Sequence, residues 1–239
     1  MSLMSLVLTF EVALRNRVHV SLSRQASSKL QHNPVDSFPW YDSQKGWIQL
    51  SGESHAKVEK LLCANGVRLQ TQPPPDQVIS KLSFGFWSNT LDSQLSPAIE
   101  ALTFAEVFPN HPKAKKHWKY LGNRKDAVAV IKDVQVWRNR IAHCKPVWNE
   151  GWFRSSPTQH WTELLSRLQA KHHGVLTYLE WMCPSTAALY RSSFPGRLFT
   201  NLLSESAIWA HLQAPTQIGH APIFTAPPPD ELAKYKART

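Results

Sequence analysis

The spacing of apolar residues along the chain predicts helices almost throughout. In the first segment, Leu3, Val7, Phe10, Leu14 and Val18 recur at helical intervals, which predicts a helix over residues 3 to 23. Pro75 is suited to the first turn of a helix, and Gly66 to the position just after a helix end. The further predicted helices span residues 52–65, 75–91, 96–108, 123–144 and 157–182.

The predicted helix from Asn123 to about Cys144 carries a charged residue in its apolar stripe. Asn123 is a good N-cap, and Pro146 disfavours helical geometry at the residue before it. At about 100° per residue, Arg138 projects near the centre of the stripe. Buried arginines are rare unless they are paired, so this position needs an explanation. The stripe consists of Ala127, Val130, Ile131, Val134, Trp137 and Ile141.

The first helix shows the complementary anomaly, because Glu11 falls among its apolar positions. An acid on one helix and a base on another predict two packed helices joined by an ion pair between Glu11 and Arg138. His143 lies on a different face, more than about 100° from Arg138 on an ideal helix. A bent helix end, or a second copy of the chain, is therefore needed to bring Arg138 and His143 to one small ligand.

The chain divides into one helical domain and a tail. Helical patterns continue to about residue 212, and neither strand runs nor internal repeats are evident. Residues 213–239 are basic and proline-rich and lack apolar periodicity, which predicts a flexible C-terminal tail. The predicted fold class is an all-α helical bundle with irregular loops, spanning residues 1–212.

The charge balance favours an anionic partner. The formal net charge is +10, which points to nucleic acid first and to a membrane surface second. Three cysteines without a CxxC pair indicate a reducing compartment. Neither a signal peptide nor a run long enough to span a bilayer is evident, so we expect a soluble, cytoplasmic protein without a membrane partner.

A basic segment lies between residues 113 and 125. Its lysines and Arg124 are interleaved with His117, Trp118 and Tyr120, a pattern that can follow a phosphate backbone and stack on bases. The alternative is a solvated helix face with two packed aromatic residues, and the sequence supports both readings equally.

Metal chemistry is not expected, and neither is a cofactor. The residues that can bind zinc are His111, His117, His172, His173, Cys144 and Cys183. None of them pairs at a spacing typical of zinc sites. The chain also lacks a nucleophile elbow and a glycine-rich phosphate loop.

Three segments together resemble a known family. The run WRNRIAHCKPVWN, residues 137–149, resembles the arginine–asparagine–three residues–histidine signature of the HEPN superfamily of helical ribonucleases. With its trailing Trp148 and Asn149, the run is most similar to the Abi-like, or abortive infection, branch. The segments FEVALRNRV (10–18) and SKLSFGFWSNTL (80–91) resemble the first helix and a further motif of that branch.

The resemblance implies a HEPN-like bundle that dimerises so that two motifs face each other in a basic cleft. Active relatives cut RNA without metal, by attack of the 2′-hydroxyl on the adjacent phosphate. His143 would then transfer protons, Arg138 would stabilise the transition state, and Asn139 would orient either group. The supporting residues would be Glu11, which holds Arg138, together with Arg15, Trp148 and Asn149. The RNA-binding residues would be Lys145, Arg140, Lys132, Arg124, Lys125, Lys119 and Lys116.

The expected function is therefore a metal-independent endoribonuclease, a toxin or effector in abortive infection or phage defence that acts on tRNA or mRNA as a homodimer. An antitoxin or regulatory partner is a further expectation. The chain departs from the family pattern in having Cys144 in place of a second histidine. Lys145 replaces a tyrosine found in branches controlled by a nucleotidyltransferase antitoxin. Two alternatives stay open, a catalytically inactive RNA-binding module and a regulatory protein–protein module.

Overall fold

The computed structural model describes residues 2–145, 147, 161–204 and 206–207. Within these ranges the protein is all-α, as predicted, with ten α-helices and one short hairpin. The helices are Ser2–Gln31 (α1), Gly52–Leu62 (α2), Pro75–Lys81 (α3), Phe84–Asn89 (α4), Pro97–Val107 (α5), Ala114–His117 (α6), Leu121–Ala142 (α7), Trp161–Met182 (α8), Pro184–Ser192 (α9) and Phe194–Leu202 (α10), and the strands are Cys63–Ala64 (β1) and Val67–Arg68 (β2). The predicted tail, residues 213–239, lies outside the described residues, as do Trp148 and Asn149.

Helix α1 lies at the centre of the fold. It contacts α4, α5, α7, α8 and α10, so most of its circumference is covered by other helices. The predicted apolar positions Val7, Phe10, Leu14 and Val18 are fully buried. The helix extends to Gln31, about two turns beyond its predicted end. Because α1 also contacts α4 and α7, it can support side chains that lie between those two helices.

The connection between α1 and α2 is packed against the core rather than exposed. Its residues Trp40 and Tyr41 are buried beside Phe86 and Trp87 of α4. Within this group of four rings, the centroids of contacting pairs are 5.1 to 6.3 Å apart. Aromatic packing of this kind contributes beyond the buried area alone. The segment LSFGFW is therefore fixed to the core through its aromatic side chains.

Gly66 is not the residue after a helix end, as the sequence suggested. Helix α2 ends at Leu62, and the next residues form the β1–β2 hairpin. Asn65 and Gly66 both have positive φ, 51° and 77°. This is the backbone of a two-residue type I′ turn, for which an Asn-Gly pair is the preferred sequence.

The helix predicted over residues 75–91 is interrupted. Leu82 and Ser83 adopt extended backbone angles, which separates α3 from α4, and a π-helical turn continues α4 over Thr90–Gln94. The break lets Val78 and Ile79 of α3 and the aromatic residues of α4 all reach the core. Apolar periodicity does not reveal it, because both halves are amphipathic helices.

Helix α7 begins before the predicted N-cap. Its first residue is Leu121, and Asn123 instead donates from Nδ2 to the carbonyl oxygen of His117 at 2.7 Å. The helix ends at Ala142, close to the predicted boundary. Helix α8 covers the described part of the segment predicted at 157–182. Among the described helices, none is both long and apolar enough to cross a bilayer.

Candidate functional site

A polar groove lies between α2, α4 and α7. It has a volume of about 390 Å³, comparable with a small-ligand site. We refer to it as the α2–α4–α7 groove. Its lining residues are Glu53 and Lys57 of α2, Ser83, Phe84, Gly85, Ser88 and Asn89 in or next to α4, and Lys132, Gln135, Arg138 and Asn139 of α7.

Arg138 is held at the groove by an ion pair with α1. Its Nε lies 3.5 Å from Glu11 Oε2, which agrees with the predicted pairing of the two helices. The Glu11 side chain is 15% exposed and that of Arg138 is 37% exposed. The prediction that Arg138 is buried is therefore wrong. Its side chain is partly exposed because the apolar stripe of α7 meets the groove at this turn.

The guanidinium group keeps most of its hydrogen-bonding capacity. Neither Arg138 Nε nor Glu11 Oε2 makes a hydrogen bond within the described residues, so their contact is an electrostatic one. The remaining polar contact, from Arg138 Nη1 to Asn139 Oδ1, is 3.5 Å and therefore weak. Arg138 is thus a positioned cation whose N–H groups can bind an anion in the groove.

The other two cations of the groove are also paired. Lys57 lies 2.9 Å from Glu53, and Lys132 lies 2.6 Å from Asp92. Together with the Arg138 pair, three cations are balanced by three carboxylates. In a single chain the groove therefore carries no net charge from these groups, unlike the basic cleft that the resemblance implies.

The segment Ser83–Asn89 forms the wall opposite α7. Ser88 Oγ donates to Gln135 Oε1 at 2.5 Å, and Asn89 Nδ2 donates to Ser54 Oγ at 2.8 Å. A Cβ added at Gly85 would lie only 3.0 Å from Gln135 Nε2. The small residue therefore allows α4 and α7 to approach closely, and the hydroxyl fixes the orientation of the Gln135 amide.

His143 does not line the groove. It is exposed at the C-terminal end of α7, where its backbone N–H donates to the carbonyl oxygen of Asn139 at 3.0 Å. Cys144 follows with φ of 52°, and Lys145 N–H closes the turn onto the Arg140 carbonyl oxygen at 2.8 Å. This is a Schellman-type helix end. One chain thus places Arg138 and Asn139 in the groove and leaves His143 outside it.

The prediction that Arg124 binds RNA is wrong, because its side chain is buried. It is 4% exposed, with Nε 3.1 Å from Glu100 Oε2, and Nη1 donates to the carbonyl oxygen of Trp118 at 2.7 Å. A side chain so enclosed cannot reach a phosphate backbone. Arg124 instead joins α5 and the end of α6 to α7.

The other residues predicted to bind RNA differ in exposure and in their distance from the groove. Lys132 lines the groove, Arg140 is half-buried, and the exposed residues are Lys116, Lys119, Lys125 and Lys145. About 10 Å of helix axis separates Lys125 from Lys132, the first groove-lining residue of α7, so the basic segment lies away from the groove. Trp118 is buried against Phe104 and Phe108, which makes it a packing residue, whereas Tyr120 is exposed.

The second arginine-to-histidine string, on α1, has a structural role. His19 is buried, and its Nδ1 accepts a hydrogen bond from Trp40 Nε1 at 3.1 Å. Burial lowers the pKa of His19 to about 4, against a smaller opposing effect of Asp76. Arg15 donates to the side chain of its neighbour Asn16 and is not among the groove-lining residues.

Three of the histidines considered as zinc ligands contact aromatic rings. His111 and His117 stack with ring centroids 4.0 Å apart, and His172 stacks on Phe199 at 3.8 Å. Across the described ranges, no group of three or more His, Cys, Asp or Glu is placed to hold a metal ion.

Sequence reasoning missed several groove residues. Gln135 lies one helical turn before Asn139, so the spacing within α7 could have found it. In the sequence, the segment Ser83–Asn89 is distinguished only by its resemblance to the family motif. Glu53 and Lys57 come from α2, and nothing in the local sequence indicates that they reach this site.

Compared with family models, with curated proteins and with solved structures, the chain has no match.

Proposed function

We propose that this protein is a metal-independent endoribonuclease of the HEPN type that acts as a homodimer. One observation carries the proposal. Arg138, anchored by Glu11 of α1, faces a groove whose opposite wall is the Ser83–Asn89 segment. The three sequence segments that carry the family resemblance therefore meet around one polar site, although they lie far apart along the chain.

In the proposed reaction, the 2′-hydroxyl of one nucleotide attacks the adjacent phosphorus, and the bond to the 5′-oxygen of the next nucleotide breaks. The products are a 2′,3′-cyclic phosphate and a 5′-hydroxyl. Arg138 stabilises the charge on the phosphorane-like transition state, and Asn139 orients the phosphate. His143 takes the proton from the 2′-hydroxyl and protonates the departing oxygen.

The exposed position of His143 makes a second copy part of this proposal. Since His143 of the same chain does not line the groove, each groove would combine its own Arg138 with His143 of the other protomer. A two-fold dimer would then contain two equivalent composite sites. The proposed role is that of a toxin or effector in abortive infection, with tRNA or mRNA as substrate and an antitoxin as a regulatory partner.

Cleavage of total RNA in EDTA tests the activity. We expect wild-type protein to cut RNA, and Arg138→Ala and His143→Ala each to lower the rate about 100-fold or more. Arg191→Ala and His173→Ala change the same residue types away from the groove and should retain activity. Cleavage that is equally fast in Arg138→Ala would refute the proposal.

A second candidate is an RNA-binding protein without nuclease activity. It is favoured by the placement of His143 outside the groove of its own chain. In that case wild-type protein would retain RNA in a filter-binding assay but leave it uncut. Arg138→Ala would weaken that binding, whereas His143→Ala, outside the groove, would leave the binding unchanged.

A further inference from the structure

The side chain of Gln135 is oriented by its neighbours. Its Oε1 accepts a hydrogen bond from Ser88 Oγ at 2.5 Å, so its Nε2 group is left as a donor. Among the described residues, Nε2 has no hydrogen-bond partner, although the side chain lines the groove. The amide therefore presents N–H groups rather than a carbonyl oxygen to a ligand.

The same wall of the groove carries further donors. Asn139 lies one turn from Gln135 on α7, and its Oδ1 is the atom that faces Arg138 Nη1 at 3.5 Å. Its Nδ2 is without a hydrogen-bond partner in the described part of the chain. Gln135, Asn139 and Arg138 thus form an adjoining set of N–H donors, which we call the α7 donor wall.

A donor wall of this composition favours a ligand rich in acceptor oxygens. The neighbouring carboxylate that lines the groove, Glu53, is paired with Lys57 at 2.9 Å. Hydrogen bonds from a guanidinium group to an anion are stronger than those between neutral groups, and two amide donors beside it can satisfy further oxygens. A phosphate group offers several such oxygens at one centre.

We propose that Gln135 is a phosphate-binding residue, which holds a phosphate oxygen beside the one bound by Arg138. This deepens the proposed nuclease function and rests on it for the identity of the natural ligand as RNA. Ser88 acts as a positioning residue, because its hydroxyl binds Oε1 and leaves Nε2 on the side of Gly85, another residue that lines the groove. Gly85 permits this arrangement, since a Cβ there would lie 3.0 Å from Nε2.

The test is an NMR titration of the side-chain amide of Gln135 in the full-length protein, assigned by its loss in Gln135→Glu. The probes are uridine 3′-monophosphate, inorganic phosphate and uridine. We expect both phosphate-containing probes to shift this signal and uridine to leave it unchanged. A shift caused by uridine alone, or no shift with either phosphate probe, would overturn the inference.

Variants measure the contribution of the donor. Gln135→Met removes the amide without adding charge and should weaken uridine 3′-monophosphate binding about tenfold or more. Gln135→Glu should weaken it further, whereas Gln77→Glu, the same change at an exposed position of α3, should alter the Kd by less than about twofold. Wild-type affinity in Gln135→Met would overturn the inference.

Binding and cleavage are read separately, so the two proposals fail separately. A shifted Gln135 signal in a protein that leaves RNA intact supports the phosphate site and contradicts the nuclease. Metal-independent cleavage at the same rate in Gln135→Met, with no shift on titration, supports the nuclease and contradicts the role of Gln135.

Discussion

Acidification should destabilise the fold through two buried histidines. His19 in α1 and His172 in α8 both have a pKa of about 4, well below the ordinary histidine value of 6.5. Burial is the main cause in each case, and the neighbouring His173 adds to the effect at His172. His172 also faces the hydroxyl of Tyr190 at 3.2 Å. Both side chains are therefore neutral in the folded protein at pH 7.

The direction and the size of the change in stability with pH follow from proton linkage. A folded-state pKa below that of the unfolded chain gives stability that is fully present above pH 6.5. That stability is lost as the pH falls towards 4, because the unfolded state binds the proton first. At pH 5, each histidine should cost about 2 kcal/mol, or about 4 kcal/mol together. This is a large part of the stability of a typical domain.

Urea unfolding at pH 7.5 and pH 5 measures this difference. His19→Gln is expected to lower stability at both values but to reduce the difference between them by about 2 kcal/mol. His32→Asn, at an exposed position with positive φ, serves as the control and should leave the difference unchanged. If His19→Gln retained the whole pH dependence, this explanation of acid sensitivity would be refuted.

Three further predictions concern single residues. Cys144→Gly should raise the free energy of unfolding by about 1 kcal/mol, because Cys144, which follows the C-cap His143 of α7, has positive φ; unchanged urea stability would contradict this. Arg124→Met should lower it by about 3 kcal/mol, since Glu100 would be left partly buried without its cation; a loss below 1 kcal/mol would count against the role of that pair. Glu53→Gln should tighten uridine 3′-monophosphate binding about threefold by removing a groove carboxylate; weaker binding would contradict an anion site.

Periodicity predicted the helices that are amphipathic over several turns, and it predicted the Glu11–Arg138 pair. The helices follow from the spacing of their apolar residues, and the pair follows from the rule that a charged side chain in an apolar stripe requires a partner. The rule identifies which face of a helix is buried, but it does not show how much of that face is covered by the neighbouring helices. Arg138 therefore turned out half exposed, because α7 meets the groove at that turn.

The buried arginine of α7 is Arg124, whose position on the stripe is within about 40° of that of Arg138. The same spacing could have identified it. Its inclusion in a run of lysines instead suggested a surface role. The pattern could not distinguish the two arginines, because Glu100 of α5 becomes a neighbour only through tertiary packing.

The groove was less predictable than the helices. Its walls come from α2, α4 and α7, which are separate in sequence and meet only after folding. The break at Leu82 and Ser83, which positions α4, involves two residues with ordinary helical neighbours. The sequence does not show why a glycine stands at position 85. The small residue is needed because Gln135 approaches it closely, and this contact arises only from the packing of α4 against α7.

Mixing two inactive variants tests the composite site most directly. Arg138→Ala and His143→Ala are unfolded together, refolded and assayed for RNA cleavage in EDTA, beside each variant alone. A mixed dimer would contain one intact site, with Arg138 from one chain and His143 from the other. Random assembly should therefore restore about a quarter of the wild-type rate. No restoration, with mixed dimers demonstrated by differently tagged chains, would contradict a site shared between protomers.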